Sequence, residues 1–451
     1  MNSIKRFFAF SIFFMLVVSS GYSDSRPNIL LILSDDHNFR TLGVSGNKAI
    51  RTPNLDQLAG EGVYFNRNFT PNPICVPARA CIYTGQDSWT NGAIVNGQRI
   101  NNASPVFASL LAVSGYETYF GGKWHGDGKP WTRGYTTGGR CWAGGKFDHF
   151  EMALTKWGEG ADTREMADRY STTVFTDDAV KYLESEHNRP FLMVIAYPVG
   201  HDVFLAPPGY GRKYAANEIP LPPNYMPKPP FKQFFPKIRD ETVLPFPRTK
   251  ASVQRATAEY YAMFEHMDDQ VGRMLSVLKE KKMDENTLVI FASVKGMSMG
   301  SHGIIGKQTM YEEGIRSSLI VRHPTLKPAT KINSSLVSTL DIFPTICETA
   351  KVEIPDSVEG ESLLGLYDGS REARERLFFT YHDPRRDTVT RAIRTNRYKL
   401  VQHLVTGERQ LFDLEKDPYE MKNLMKESEG QAVEPELRRE LMSWREGTKD
   451  K

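Results

Sequence analysis

Cys75, Pro77 and Arg79 stand in the order C-x-P-x-R inside Pro71 to Gly85, PNPICVPARACIYTG, and residues of these types at this spacing can perform nucleophilic chemistry on an anion. Pro71 and Pro73 hold the approach extended, and Pro77 is tolerated in a first helical turn, so the thiol falls at a loop-to-helix junction. There, free backbone N–H groups and the helix dipole favour an anion, and Arg79, about one turn on, adds a planar cationic fork. A nucleophile and an oxyanion site coincide. A lone cysteine among prolines is also a small hydrophobe suited to burial, so the rest of the chain must decide.

Asn28 to Ser34, NILLILS, is a continuous apolar run that ends on Asp35 and Asp36. Such a run suits a buried strand of a parallel or mixed sheet, with its carboxyl end as a ligand site. Adjacent carboxylates there are costly unless neutralised, and a hard divalent cation is the simplest partner. Lys123 and His125 lie in a Lys-Trp-His turn after a strand-like stretch, His201 follows the apolar run Phe191 to Tyr197, and Lys307 ends Gly300-Ser-His-Gly-Ile-Ile-Gly-Lys. Each taken alone is weak evidence of chemistry.

Together they have a pattern. C-x-P-x-R with Thr84-Gly85, the opening R-P-N-I-L-L-I-L-S-D-D with T-P-N-L-D-Q-L-A-G-E-G-V-Y-F, and Gly-Lys-Trp-His resemble the sulfatase family of the alkaline-phosphatase superfamily along most of the chain. The resemblance implies that Cys75 is converted to formylglycine, whose hydrate has one hydroxyl to attack sulfur and a second to expel sulfate. It implies calcium at Asp35, Asp36 and the modified Cys75, with Arg79 holding the formylglycine and Lys123 and Lys307 on sulfate oxygens. It also implies that His125 orients or deprotonates the hydrate and that His201 protonates the leaving group. His302 matches a further position of the motif.

The chain departs from this family where most members place Asp and then Asn or His, both calcium ligands, after the third buried strand, Thr287 to Ser293. Here the residues are Ser293-Val294-Lys295-Gly296. Val294 offers no oxygen, and Lys295 brings a cation. At an effective dielectric of about 20, a unit charge about 4 Å from a divalent ion costs roughly 8 kcal/mol. Three outcomes follow: a weakened metal site, an ammonium standing in for the metal, or a degenerate protein that only binds. Val76, Tyr83 and Gly121 are smaller departures.

The elements that must position these groups can be laid out in order. Helices are expected over Asn54 to Gly62 with Asn54 as cap, from Cys75 to Tyr83, over Ser104 to Ser114 with Ser104 as cap, over Ala167 to Glu186 and over Ala251 to Lys281. Gly134 to Gly145, rich in glycine and aromatics, reads as a mobile loop beside the pocket. Pro207 to Pro247 reads as surface-wandering chain or as a packed insertion. Ser317 to His323 is strand-like, and a helix within Ser338 to Ala350 closes the larger unit. Beyond about Val352, strands at Leu377 to Tyr381, Arg391 to Arg394, Tyr398 to His403 and Gln410 to Leu414 precede a helix from Pro435 to Trp444. The fold class expected is α/β: a large mixed, mostly parallel sheet sandwiched by helices, plus a smaller C-terminal α+β subdomain with an antiparallel sheet.

Residues 1–23 pair Lys5 and Arg6 with an apolar run from Phe7 to Val18 and small residues after it, which reads as a secretory signal peptide. The expected divisions are then 1–23, a catalytic domain over 24–351 and a C-terminal subdomain over 352–451, in a protein exported to the periplasm or the extracellular space without a stable membrane span. A net charge of +3 over 451 residues gives no general field for nucleic acid. Four cysteines, at 75, 81, 141 and 347, lack metal-ligand spacing and argue against a disulfide framework, with one bridge from Cys141 left open. The expected partners are a sulfated carbohydrate or other small sulfate ester and the formylglycine-generating machinery. The rival functions are a phosphate or phosphonate ester hydrolase of the same superfamily and a binder of sulfated glycans.

Overall fold

The computed structural model describes residues 26–126, 128–144, 148–158, 164–231, 239–383, 388–448 and 450. The sheet that organises them has ten strands. These are β1 (Asn28–Asp36), β2 (Val63–Phe65), β4 (Glu117–Lys123), β5 (Thr137–Trp142), β6 (Ala153–Thr155), β7 (Arg164–Met166), β8 (Phe191–Ala196), β9 (Thr287–Lys295), β11 (Leu319–Arg322) and β12 (Ile332–Asn333). Their order is β12-β2-β11-β9-β1-β8-β4-β5-β6-β7. From β9 to β5 neighbouring strands are parallel, while β11 pairs antiparallel to β9 and to β2, as β6 does to β5 and β7.

Alternation along β1 explains why its sequence is apolar without a break. Leu30 and Ile32 pack on one face with Met263, Phe264 and Met267 of the long helix Lys250–Glu280. Ile29, Leu31 and Leu33 pack on the other with Ala78 and Ile82 of the helix Cys75–Thr84 and with Phe107 and Ile346. Both faces are covered, so every position from Ile29 to Asp36 is buried. Asp35 and Asp36 end β1, Lys295 ends β9, Lys123 ends β4 and His201 follows β8. The carboxyl ends of parallel strands are where ligands bind in open α/β sheets.

Three short strands, β3 (Asn68–Phe69), β10 (Arg316–Ser317) and β13 (Val337–Ser338), form a second small sheet. A third holds β14 (Arg376–Asp383), β15 (Thr388–Thr395), β16 (Tyr398–His403) and β17 (Arg409–Asp413), all antiparallel. The helix Ser428–Gly447 lays Leu437 and Leu441 against Ile393, Leu400 and Leu411 of that sheet. The expected α/β class, with a large mixed sheet and a smaller antiparallel one, is what the chain forms.

Several local expectations are corrected. Pro53 is the first residue of the helix Pro53–Glu61, so Thr52 holds the cap position and the Asn54 side chain instead donates to Asp268 at 2.8 Å. The next expected helix is shorter, Phe107–Val113, with Val106 at the cap in place of Ser104. Gly134 to Gly145 is not a loop: Thr137 to Trp142 is β5, because it completes the parallel ladder beside β4, while residue 145 lies outside the described residues. The helix expected from Ala167 begins at Ser171. The final helix runs through Pro435, where burial of Leu437 and Leu441 outweighs the hydrogen bond that a proline forfeits. Within Pro207 to Pro247, residues 232–238 are outside the described set, and the end of the stretch is packed: Asp240 and Glu241 are buried, and Arg248, also buried, meets Glu241 at 2.6 Å. All four cysteines are free and buried.

Candidate active site

Cys75 is the first residue of a helix every residue of which is buried, and Ile74 before it is extended. The thiol therefore sits at the junction expected of it. Arg79, on the same helix, donates from Nη1 to the Lys123 carbonyl at 3.0 Å and places Nη2 3.6 Å from Asp35 Oδ1. One guanidinium thus ties the nucleophile's helix to the ends of β4 and β1.

The buried ammonium groups divide the two carboxylates between them. Lys123 bonds Asp35 Oδ2, and Lys307 bonds Asp36 Oδ2 and lies 3.3 Å from Asp240. Lys295 Nζ reaches both acids, bonding Asp36 Oδ1 and standing 3.1 Å from Asp35 Oδ1. The β1–β9 ladder sets Lys295 directly beside Asp36. Burial alone would raise Asp35, but Lys123, Lys295 and Arg79 outweigh it and hold its carboxyl well below the usual range. Asp36 goes the other way, because burial with the charges of Asp35 and Cys75 exceeds the pull of Lys295 and Lys307. Burial also opposes ionisation of Cys75, yet Lys295, Lys123 and Lys307 bring its thiol well below its ordinary value.

Two histidines flank the thiol, and each is within hydrogen-bonding reach of it. Burial, reinforced by Lys123 and Arg79, lowers His125. Burial lowers His201 as well, and so do Lys307 and Lys123, but its bonds to Asp202 and Cys75 carry the net shift upward. Asp202 Oδ1 stands 2.8 Å from His201 Nδ1. Such a split separates a base from an acid in one site. His125 adopts a left-handed backbone conformation, and its Nδ1 is buried without a hydrogen-bond partner. Gly144 lies so close that a Cβ there would fall 2.2 Å from the His125 ring. The end of the expected loop thus does border the site, through a glycine that only a missing side chain makes possible.

Calcium fits this donor set poorly. Asp35, Cys75 and His201 present ligand atoms within 4.8 Å of one another, but the carboxylate oxygens already meet Arg79, Lys123, Lys295 and Lys307. Val294 points into the apolar layer with Leu33 and Ala292 and contributes no oxygen. Oxygen-rich coordination of a hard divalent ion needs acids that are free to turn to it.

All the residues expected at the site, Cys75, Arg79, Lys123, His125, His201, Lys307, Asp35 and Asp36, are thus brought together. His302 is not among them: it stacks on Tyr311 and sits between Asn224, Glu313 and the Glu420 carbonyl. Sequence reasoning passed over Asp202 and Asp240. Asp202 had a signal, since it directly follows His201. Asp240 had none beyond being an acid in a proline-rich stretch.

The Sulfatase family profile matches residues 27–352, and a profile for the C-terminal part of N-sulphoglucosamine sulphohydrolase matches 300–447. The chain belongs to the sulfatase family of sulfuric ester hydrolases. It is 26% identical to the N-acetylglucosamine-6-O-sulfatase of Bacteroides thetaiotaomicron, over 94% of this chain and 86% of that one. A solved structure of a protein in complex with its substrate D-glucosamine-2-N,6-O-disulfate aligns with a TM-score of 0.82 at 25% identity, covering 94% of this chain and 98% of the other. The phosphonate monoester hydrolase of Agrobacterium radiobacter shares the fold, with a TM-score of 0.77 at 22% identity over 94% and 96% of the two chains.

Proposed function

We propose that the protein is an exported enzyme that hydrolyses sulfate esters on a carbohydrate, using a formylglycine made from Cys75. The observation that carries this reading is the buried Cys75 at a helix start, with His201 and Asp35 within 4.8 Å of it and the ammonium groups of Lys123, Lys295 and Lys307 gathered at the adjoining acids. An amino sugar is the first substrate class to try, given what the N-acetylglucosamine-6-O-sulfatase and the disulfated-glucosamine complex are named for.

The modified residue supplies, as its hydrate, one hydroxyl to attack sulfur and another to release sulfate. Everything else is done by the chain. Arg79 orients the residue at position 75, and Lys123 and Lys307 hold sulfate oxygens as negative charge shifts toward them. His125, kept neutral by burial, accepts the proton of the hydroxyl. His201, shifted upward by its bonds to Asp202 and Cys75 against burial, gives a proton to the sugar oxygen as it leaves. Residues 1–23 lie outside the described set, and export rests on their sequence alone; among the described residues no helix is long and apolar enough to cross a membrane.

A panel of glucosamine 6-O- and N-sulfates, an aryl sulfate and an aryl phosphonate monoester tests the reading. The expected result is a kcat/KM for at least one sulfated sugar well above that for the phosphonate. The reverse order would make the protein a phosphonate hydrolase, and tight binding of sulfated sugars by fully modified protein without turnover would make it a binder.

A further inference from the structure

We propose that Lys295 is the built-in cation of this site and that the protein holds no divalent metal there. The Lys295 ammonium is fully buried and is wedged between both aspartates, bonded to Asp36 Oδ1 and 3.1 Å from Asp35 Oδ1. A metal bridging the two acids would have to occupy the same ground.

The placement is built into the sheet. Lys295 faces Asp36 across the β1–β9 ladder, so the ammonium needs no loop rearrangement to reach the acids. Its backbone is pinned as well: its carbonyl accepts from the His37 N–H at 3.0 Å, and the single proton of the Ser293 hydroxyl is shared between that carbonyl at 2.7 Å and the Asp35 carbonyl at 2.8 Å. Turning the lysine away would leave a buried ammonium without partners, at a cost larger than any single exposed ion pair could return. Charge accounting agrees with the geometry. Against the pattern of Asp followed by a neutral ligand, Val294 removes one negative charge and Lys295 adds one positive charge, which together equal the charge of a divalent ion. The other cations leave no acid free: Lys123 takes the second oxygen of Asp35, and Lys307 takes the second oxygen of Asp36.

Lys295 in this role is a positioning residue. It holds Asp35 and Asp36, and through its charge it favours an anion at position 75. Metal content can be read whether or not the enzyme turns over, so this proposal and the proposed sulfatase activity fail separately. The test uses the full chain, analysed by inductively coupled plasma mass spectrometry after purification in metal-free buffer, together with thermal unfolding in EDTA and in millimolar calcium. The expected result is substoichiometric calcium, magnesium and zinc and a Tm that neither reagent moves. The variant Lys295→Asn, with the acids exposed to solvent ions, is expected to gain a calcium-dependent rise in Tm. A divalent ion near one per wild-type chain, a wild-type Tm that falls in EDTA and returns with calcium, or an equal calcium response in wild type and variant would each overturn the proposal.

Discussion

Two buried charge clusters in this protein are built from similar side chains and end in different chemistry. At the carboxyl ends of β1, β4 and β9, Arg79, Lys123, Lys295 and Lys307 face Asp35, Asp36 and Asp240, and the surplus of positive charge converges on a thiol. Where β15 and β16 meet the large sheet's side of the molecule, Arg394 and Lys399 grip Glu312 at 3.2 and 3.1 Å, Lys399 also meets Glu420, and Arg40 takes Glu313 at 2.9 Å. That second cluster pairs three cations with three glutamates and has no nucleophile within it. In the second cluster the ion pairs tie the antiparallel sheet to the short helix Glu312–Ile315; in the first, the surplus of cations next to a reactive group waits for an anion. Burial makes both arrangements costly to break, because removing one partner strands the other.

The difference can be tested one residue at a time. Cys75→Ala is expected to lower sulfate-ester turnover by about 10⁴-fold or more, as loss of a nucleophile does, with Tm close to wild type; steady-state kinetics beside a melting curve checks both. His201→Gln is expected to lower kcat by about 10²- to 10⁴-fold on a sugar sulfate, and by less on an aryl sulfate whose leaving group needs no proton. A loss equal on both substrates would remove His201 from the leaving-group side.

Lysine exchanges across the two clusters sharpen the contrast. Lys307→Met is expected to lower kcat by about 10²- to 10³-fold, the scale of losing one charge-stabilising donor. Lys399→Met is expected to cost about 3–5 kcal/mol of stability by stranding Glu312 and Glu420, while the protein that remains folded keeps its kcat. Urea unfolding and active-site-normalised kinetics on both variants separate the two outcomes. A further effect concerns pH. Burial, with Glu312 and Glu313 alongside, pushes the Glu420 carboxyl up to about 8 against the pull of Lys399. The folded state then binds more protons than the unfolded chain between the ordinary glutamate value and about 8, so stability falls as pH rises through that window. The slope is at most about 1.4 kcal/mol per pH unit. Glu420→Gln should flatten it, and an unaltered slope would place the titration elsewhere.

The site was far more legible in the sequence than the second cluster, for a physical reason. The acids and Lys-Trp-His occupy contiguous residues at the ends of strands, where apolar runs announce the strand and the polar residues after it announce the edge, and the nucleophile stands in a compact C-x-P-x-R at a helix start. Glu312, Lys399 and Glu420 meet only through tertiary packing, and nothing in the spacing of a lone Lys399 on an alternating strand shows which acid it faces. Strand β5 was missed because glycines hide a strand whose pairing is supplied by β4. Lys295 shows where sequence reasoning stopped. The chain shows a cation among expected metal ligands and leaves three outcomes open, whereas the β1–β9 register puts that cation between Asp35 and Asp36.

The most direct test is the mass of the tryptic peptide Asn68 to Arg79 from protein made in a maturation-competent host, measured alongside turnover of a sulfated glucosamine. The account predicts a peptide in which the CH2SH of Cys75 has become CHO, and an activity that rises in proportion to the converted fraction. Full sulfate-ester activity in protein whose Cys75 is still an unmodified thiol would contradict it.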